Sequence, residues 1–349
     1  MRQRIGREGL SVLLVTHIPN IRYLCGFSGS HAFFLLGREK SWIISDGRYQ
    51  EQIAQEAVGP TFVLQGQRKD TIAVAETLTD LPLGKVGFES DHLAVGRHTT
   101  LSEACPDRQL VATQGWVEEL RATKDTVEVD LIRQAVRIAE KAFEKVLPEI
   151  QQGMTERELA HQLEDLMWRE GADKEPFDTL VLFGPRSSLP HGKPTDATLS
   201  AGSPVLMDFG CLWRGYCSDI TRTVFLGEPE REFREAYRVV QEAQRAAIEA
   251  IRPDLPCREA DTAARSVINE AGRGGQFVHG LGHGVGLEVH EAPRLSPTEE
   301  RPLRAGMVIT VEPGVYIPGW GGIRIENMVV VRAEGCEVLN QTSTEMIVL

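Results

Sequence analysis

The sequence contains no apolar run near the roughly 18 residues that a membrane-spanning helix needs. After the basic opening segment MRQRIGREG, the stretch Leu13-Leu14-Val15 is too short for a signal-peptide core. The cytoplasm is therefore the expected location, and no membrane partner is expected. Cysteine is sparse. Six residues, at 25, 105, 211, 217, 257 and 336, form no CxxC pair and no dense framework, which predicts reduced, packed thiols. Positive charge is in deficit: 38 Lys and Arg against 50 Asp and Glu leave a net charge of −12, which argues against nucleic acid as the main partner. No low-complexity tract or short repeat interrupts the chain.

What is present is the composition of an ordinary globular protein, 42% hydrophobic and 25% charged over 349 residues, a length that predicts two domains. The first part alternates short apolar runs with helical patterns. Strands are expected over 12–15, 32–36, 42–44, 62–64 and 85–88, and helices over 49–57 and 71–78. That alternation predicts an α/β domain over residues 1–120. The character changes after it. Leu131, Ile132, Ala135, Ala139, Ala142, Phe143 and Val146 fall on one helical face, so a long amphipathic helix over 127–146 opens a second domain, residues 121–349. Thr155 and Glu158 make a capping-box pattern that starts another helix, which stops near Gly171. Further helices are expected over 231–251 and 258–271, with strands and turns between and after them.

Those strands carry polar residues. Asp208 ends the segment Pro204-Val-Leu-Met-Asp, and Asp219 begins Asp-Ile-Thr-Arg-Thr-Val224, with a turn at Trp213-Arg214-Gly215. In a hairpin with an even-numbered tight loop the two aspartates are cross-strand partners or diagonal neighbours, and either register places them on one face. Two carboxylates that close repel unless a cation lies between them. Taken alone, a pair of solvated aspartates on an edge hairpin explains them equally well. Glu312 ends a second apolar strand, and Glu326 follows the glycine-rich connection Gly319–Gly322 on a strand that places Arg324 on the same face. Three of the nine histidines, His279, His283 and His290, fall within one glycine-rich stretch, and His191 sits in a separate loop. The i,i+4 histidines do not make a zinc helix, because Gly280, Gly282, Gly284 and Gly286 disfavour one. Singly, each histidine is better explained as structural; clustered, they read as a site. Four carboxylates and one imidazole match the charge of two divalent cations, and oxygen-rich ligation with a single histidine favours manganese, cobalt or zinc. Such a pair polarises and hydrolyses. The substrate class does not follow from this step.

In order along the chain, Leu189-Pro-His191-Gly-Lys-Pro, Met207-Asp208-Phe-Gly, Ser218-Asp219-Ile-Thr-Arg-Thr, His279-Gly-Leu-Gly-His283-Gly-Val-Gly, Val289-His290-Glu291-Ala-Pro, Val311-Glu312-Pro-Gly and Arg324-Ile-Glu326 resemble the motifs of the pita-bread metallopeptidases, in the branch of aminopeptidase P and prolidase. Asp46-Gly-Arg48-Tyr49 is similar to the N-terminal domain of that branch. The resemblance implies a creatinase-like α/β N-terminal domain, an α+β pita-bread catalytic domain and a homodimer. It implies metal ligation by Asp208, Asp219, His283, Glu312 and Glu326, with Glu312 also moving the proton of the attacking water. It further implies substrate or intermediate contacts for His191, His279 and His290, and a place beside the last ligand for Arg324. The implied cofactors are two divalent ions, manganese first, with zinc or cobalt as substitutes. The implied activity is cleavage between an N-terminal residue and a following proline.

Other readings fit less well. A creatinase-like amidinohydrolase lacks the metal ligand set, a methionine aminopeptidase lacks the first 120 residues, and pita-bread modules that only bind peptides have lost ligands that this chain keeps. Within the branch, the sequence favours an Xaa-Pro aminopeptidase, with the dipeptidase as the alternative. A strict dipeptidase needs a cation for the free proline carboxylate. The connections between motifs are short, and Arg324 already stands beside the ligands. Arg48 or an arginine of a partner subunit are the other sources.

Overall fold

Neighbouring residues in the first apolar runs enter different cores. Leu13, Val15, Phe34, Leu36 and Ile43 pack into one, while Val12, Leu14, Phe33, Leu35 and Ile44 pack into another. A period of two sends successive side chains to opposite faces of a sheet, and burial of both faces explains why these runs show no polar alternation. The computed structural model describes all 349 residues and divides into two compact units, Met1–Arg121 and Ala122–Leu349.

In the first unit β1 (Leu10–Val15), β2 (Phe33–Gly37), β3 (Ser41–Ser45), β4 (Thr61–Leu64), β5 (Lys85–Glu89) and β6 (Leu110–Thr113) form one sheet in the order β4-β3-β2-β1-β5-β6. The β1–β2 and β2–β3 pairs are antiparallel, and the other three are parallel. Helices α1 (Arg2–Arg7), α2 (Ile18–Cys25), α3 (Gln50–Glu56) and α6 (Trp116–Arg121) contribute to one core, and α4 (Asp70–Thr79) and α5 (Val95–Ala104) to the other. Asp46 caps the short turn Gly47–Tyr49 and takes both arms of the Arg48 guanidinium at 2.9 Å. That partner holds the Asp46 carboxyl down at about 2.

The second unit opens on α7 (Thr126–Val146). Asp125 and Glu128 exchange capping bonds at 2.9 and 2.8 Å, and the apolar stripe Ile132, Ala135, Ala139, Phe143 and Val146 is fully buried. The Thr155–Glu158 capping box likewise starts α8 (Glu156–Arg169). These two helices share a core with β7 (Leu180–Phe183), β8 (Pro204–Phe209) and β11 (Ile220–Phe225), ordered β11-β8-β7. A second helix pair, α9 (Arg231–Ala250) and α10 (Cys257–Glu270), packs with the other large sheet, β13 (Glu291–Leu295), β12 (Gly282–Gly284), β14 (Val308–Val311), β17 (Asn327–Val331) and β18 (Cys336–Val338). Each half thus sets a helix pair behind a sheet that carries two of the four carboxylates. Two small hairpins interrupt the sheets: β9 (Leu212–Trp213) with β10 (Tyr216–Cys217), and β15 (Gly314–Ile317) with β16 (Gly321–Arg324). No helix is long and apolar enough to cross a membrane.

Candidate metal centre

Strand register brings the carboxylates together. Asp208 lies opposite Thr221 in the β8–β11 pair, so Asp219, two residues back, is its diagonal neighbour on the same face. The β9–β10 hairpin lets the chain reverse between them, with Arg214 at φ 49° and Gly215 at φ 88°, the left-handed pair that a tight two-residue turn requires. Glu312 and Glu326 sit where the chain leaves β14 for β15 and returns from β16 to β17. Val311 pairs with Asn327 and Gly314 with Arg324, so the continuous register sets Glu312 against Glu326. His283 is the middle residue of β12, and glycines on both sides of it are required. A Cβ on Gly282 would lie 2.2 Å from the Thr310 carbonyl oxygen, and one on Gly284 2.3 Å from that of Ala292.

The donor atoms of Asp219, His283 and Glu326 lie within 4.8 Å of one another. His283 Nδ1 faces the Gly284 carbonyl at 3.1 Å. A carbonyl only accepts, so Nδ1 carries the proton and Nε2 turns its lone pair towards Asp219 Oδ2 at 3.5 Å and Glu312 Oε1 at 3.4 Å. Asp208 Oδ1 and Glu326 Oε1 are sealed from water and receive no hydrogen bond. Burial first, then the mutual repulsion of the neighbouring carboxylates, pushes Asp219 and Glu326 well above the usual carboxylate range. Glu312 is raised too, chiefly by burial. Arg324 is the one guanidinium among these four acids, bonding Asp208 Oδ2 at 2.5 Å. Converging acceptors with fewer donors than oxygens, in negative excess, fit divalent cations, and the oxygen-rich set with one imidazole suits manganese, cobalt or zinc.

The supporting contacts were not visible in the sequence. Thr221 donates to Glu326 Oε2 at 2.7 Å and accepts from Arg324 Nε at 2.9 Å, while Thr310 donates to Glu312 Oε1 at 3.1 Å and accepts the His283 N–H at 3.0 Å. Tyr316 is pushed up to about 12, chiefly by burial, so its hydroxyl stays protonated. It accepts from Arg324 Nη1 at 2.9 Å and meets His279 Nε2 at 2.9 Å. His279 is depressed to about 4, by burial first and then by Arg324. It is therefore neutral at ordinary pH, with Nδ1–H on the Gly280 carbonyl and Nε2 accepting from Tyr316. Both its nitrogens are thus engaged by the protein. His290 is exposed, and its ring centroid lies 4.3 Å from that of His283. His191 is exposed on the loop after the turn Gly184–Ser188, near enough to His279 and His290 for its charge to act on both. Arg294 pairs in register with His283, so the two side chains leave the same face of the sheet.

A sheet-borne cluster of four carboxylates and a histidine, backed by two helix pairs, defines a metal-dependent hydrolase. Residues 130–333 match metallopeptidase family M24, and residues 1–123 match the creatinase/prolidase N-terminal domain. The chain belongs to family M24, with a creatinase-like α/β N-terminal domain and a pita-bread catalytic domain. It is 36% identical over 341 residues to an Xaa-Pro dipeptidase of Pyrococcus horikoshii, covering 98% of this chain and 95% of that one. Among solved structures it superposes on an Xaa-Pro dipeptidase from Bacillus anthracis with TM-score 0.96 and 39% identity, covering 100% of this chain and 98% of the other. It superposes on an X-Pro aminopeptidase from Thermotoga maritima with TM-score 0.91 and 36% identity, covering 99% and 100%.

Proposed function

We propose that this metallopeptidase is an Xaa-Pro dipeptidase that holds two divalent ions through Asp208, Asp219, His283, Glu312 and Glu326. The observation that carries the metal reading is the set of converging acceptors, with Asp208 Oδ1 and Glu326 Oε1 lacking any donor. When bound, such ions supply polarisation of the scissile carbonyl and a water acidic enough to attack near neutral pH. Glu312 takes that water's proton. Its side chain keeps an open edge, 17% exposed, whereas Glu326 is sealed at 2%, so Glu312 is the one of the pair placed to exchange protons with solvent. The same carboxyl returns the proton to the departing proline nitrogen. An Xaa-Pro bond is a tertiary amide without an N–H, so the site must read its carbonyl and ring instead. His191 and His290, both exposed on the site's rim, donate to the carbonyl oxygen as it gains charge. His279 acts through Tyr316 and Arg324, holding Asp208.

Two observations favour the dipeptidase over the aminopeptidase expected from the sequence. The relatives from Pyrococcus horikoshii and Bacillus anthracis carry the dipeptidase name. The cation whose absence argued for longer substrates is available in Arg294, exposed and on the His283 face, where it can take the carboxylate of a C-terminal proline. Arg48, by contrast, is paired with Asp46. Homodimeric assembly is part of the same proposal, as the family resemblance implies. The deciding experiment compares kcat/KM for Xaa-Pro, Xaa-Pro amide and Xaa-Pro-Yaa. A charged hydrogen bond contributes about 1.5–3 kcal/mol, so Arg294→Gln should slow the free dipeptide by roughly tenfold to hundredfold and leave the amide unchanged. Efficient turnover of Xaa-Pro-Yaa, with poor turnover of Xaa-Pro, would return the protein to the aminopeptidases.

A further inference from the structure

The loop that carries His191 begins and ends on one carboxylate. Glu156, the first residue of α8, is 0% exposed. Its Oε1 accepts the Phe183 N–H at 2.9 Å, immediately before the loop. Its Oε2 accepts the Thr195 N–H at 2.9 Å and the Thr195 hydroxyl at 2.8 Å, immediately after it. Arg186, inside the loop, places Nε 3.0 Å from both oxygens and sends Nη2 to the Lys193 carbonyl at 2.8 Å. The backbone at the head of α8 adds to this, Glu156 N–H to Ala197 O and Arg157 N–H to Thr195 O, each at 3.1 Å. On its inner side the loop rests on the site. Ser187 Oγ accepts the Gly322 N–H at 2.7 Å, and the Pro190 carbonyl lies 3.5 Å from Arg324 Nη1. No protein group hydrogen-bonds the His191 ring, so its place is set by the backbone alone.

An acid in the first turn of a helix ordinarily faces solvent, where it complements the helix dipole. This one is sealed, and every side-chain oxygen contact it makes is to a donor within the loop around His191 or at one of its two ends. Burying a carboxylate is costly unless donors converge on it, and here they close a chain segment of which one member reaches the active site. We propose that Glu156 is a positioning residue that fixes the His191 loop and, through it, the imidazole that meets the substrate carbonyl. The catalytic half of this statement rests on the role given to His191 above; the clamp itself does not.

The test is Glu156→Gln, which keeps the shape but turns an amide NH2 towards N–H donors and releases one end of the loop. Misplacing a catalytic group by about 1 Å costs roughly a hundredfold. We expect kcat/KM on an Xaa-Pro dipeptide to fall tenfold to hundredfold, with metal content at the wild-type level. Amide hydrogen exchange should rise over 184–195 and stay unchanged in β8 and β11. In a His191→Ala background the same change should cost nothing further, because it acts through that side chain. A full additional loss in that background, or wild-type activity of Glu156→Gln, overturns the proposal. Should His191→Ala itself prove fully active, the role of His191 falls, and the exchange data judge the clamp: unchanged protection over 184–195 refutes it, and lost protection upholds it. If Glu156→Gln does not fold, Thr195→Val removes one donor from the half-buried end of the loop and should shift both readouts in the same direction by less.

Discussion

Replacing Tyr316 with phenylalanine removes one oxygen and leaves the ring in place, so its effect isolates two hydrogen bonds. The hydroxyl is buried between Arg324 Nη1 and His279 Nε2, each at 2.9 Å. Losing a bond to a charged group costs about 1.5–3 kcal/mol and a neutral one about 1 kcal/mol. Arg324 Nη1 recovers little from the Pro190 carbonyl at 3.5 Å. The expected loss is about 2–4 kcal/mol, and a unit of this size moves roughly 2–4 °C per kcal/mol, so Tm should fall by about 5–15 °C. Activity should suffer as well. Arg324 also holds Asp208 Oδ2 at 2.5 Å and Thr221 Oγ1 at 2.9 Å, and a guanidinium freed on one side no longer fixes Asp208. A displacement of that kind predicts a kcat/KM lowered about tenfold to hundredfold. Calorimetry and steady-state kinetics on one preparation read both effects. An unchanged Tm together with an unchanged kcat/KM would refute the claim that the Arg324–Tyr316–His279 chain supports the site.

Glu326→Ala should lose metal and activity together, because it removes one of the five proposed ligands; elemental analysis beside the rate measurement checks this. His290→Ala should keep its metal while kcat falls about a hundredfold, the scale of one lost oxyanion donor; a metal-free variant would make His290 a ligand instead. Burial depresses His279 to about 4 against about 6.5 in an unfolded chain, so below about 6.5 the unfolded state takes up a proton that the folded state refuses. Its contribution is therefore fully present above about pH 6.5 and is lost as pH falls towards 4. His279→Gln should flatten denaturant-measured stability over that window relative to the parent, and an identical pH profile would remove His279 from the account.

Local signals were legible in the sequence, and long-range ones were not. The α7 stripe and the Thr155–Glu158 capping box are set by neighbours three or four residues apart, and both appear where the pattern places them. The glycines around His283 disfavour a helix from the sequence alone; their purpose, strand contacts that no Cβ could fit, is visible only in the structure. Helix α5 carries no sequence signal, because VGRHTTLSEA buries only Leu101 and has no apolar stripe. The register between Asp208 and Asp219 stayed open until the β9–β10 hairpin, with Arg214 in a left-handed conformation, fixed how the chain reverses. Thr221 and Arg324 lay inside quoted motifs, yet their joint hold on Glu326 and Asp208 joins strands about a hundred residues apart. Glu156 looked like any first-turn acid, because nothing in its neighbourhood of sequence marks it as buried. Arg294 is hidden in the sequence for a similar reason: its pairing with His283 depends on a register that spacing alone does not give.

The central claim is that Asp208, Asp219, His283, Glu312 and Glu326 together hold two divalent ions for hydrolysis of Xaa-Pro bonds. It is tested most directly by stripping the protein with chelator and titrating manganese back while following both bound metal and Xaa-Pro hydrolysis. The stripped protein should show no turnover, and activity should rise and saturate at two equivalents per chain. Full activity without metal, or saturation of binding and rate at a single equivalent, would contradict it.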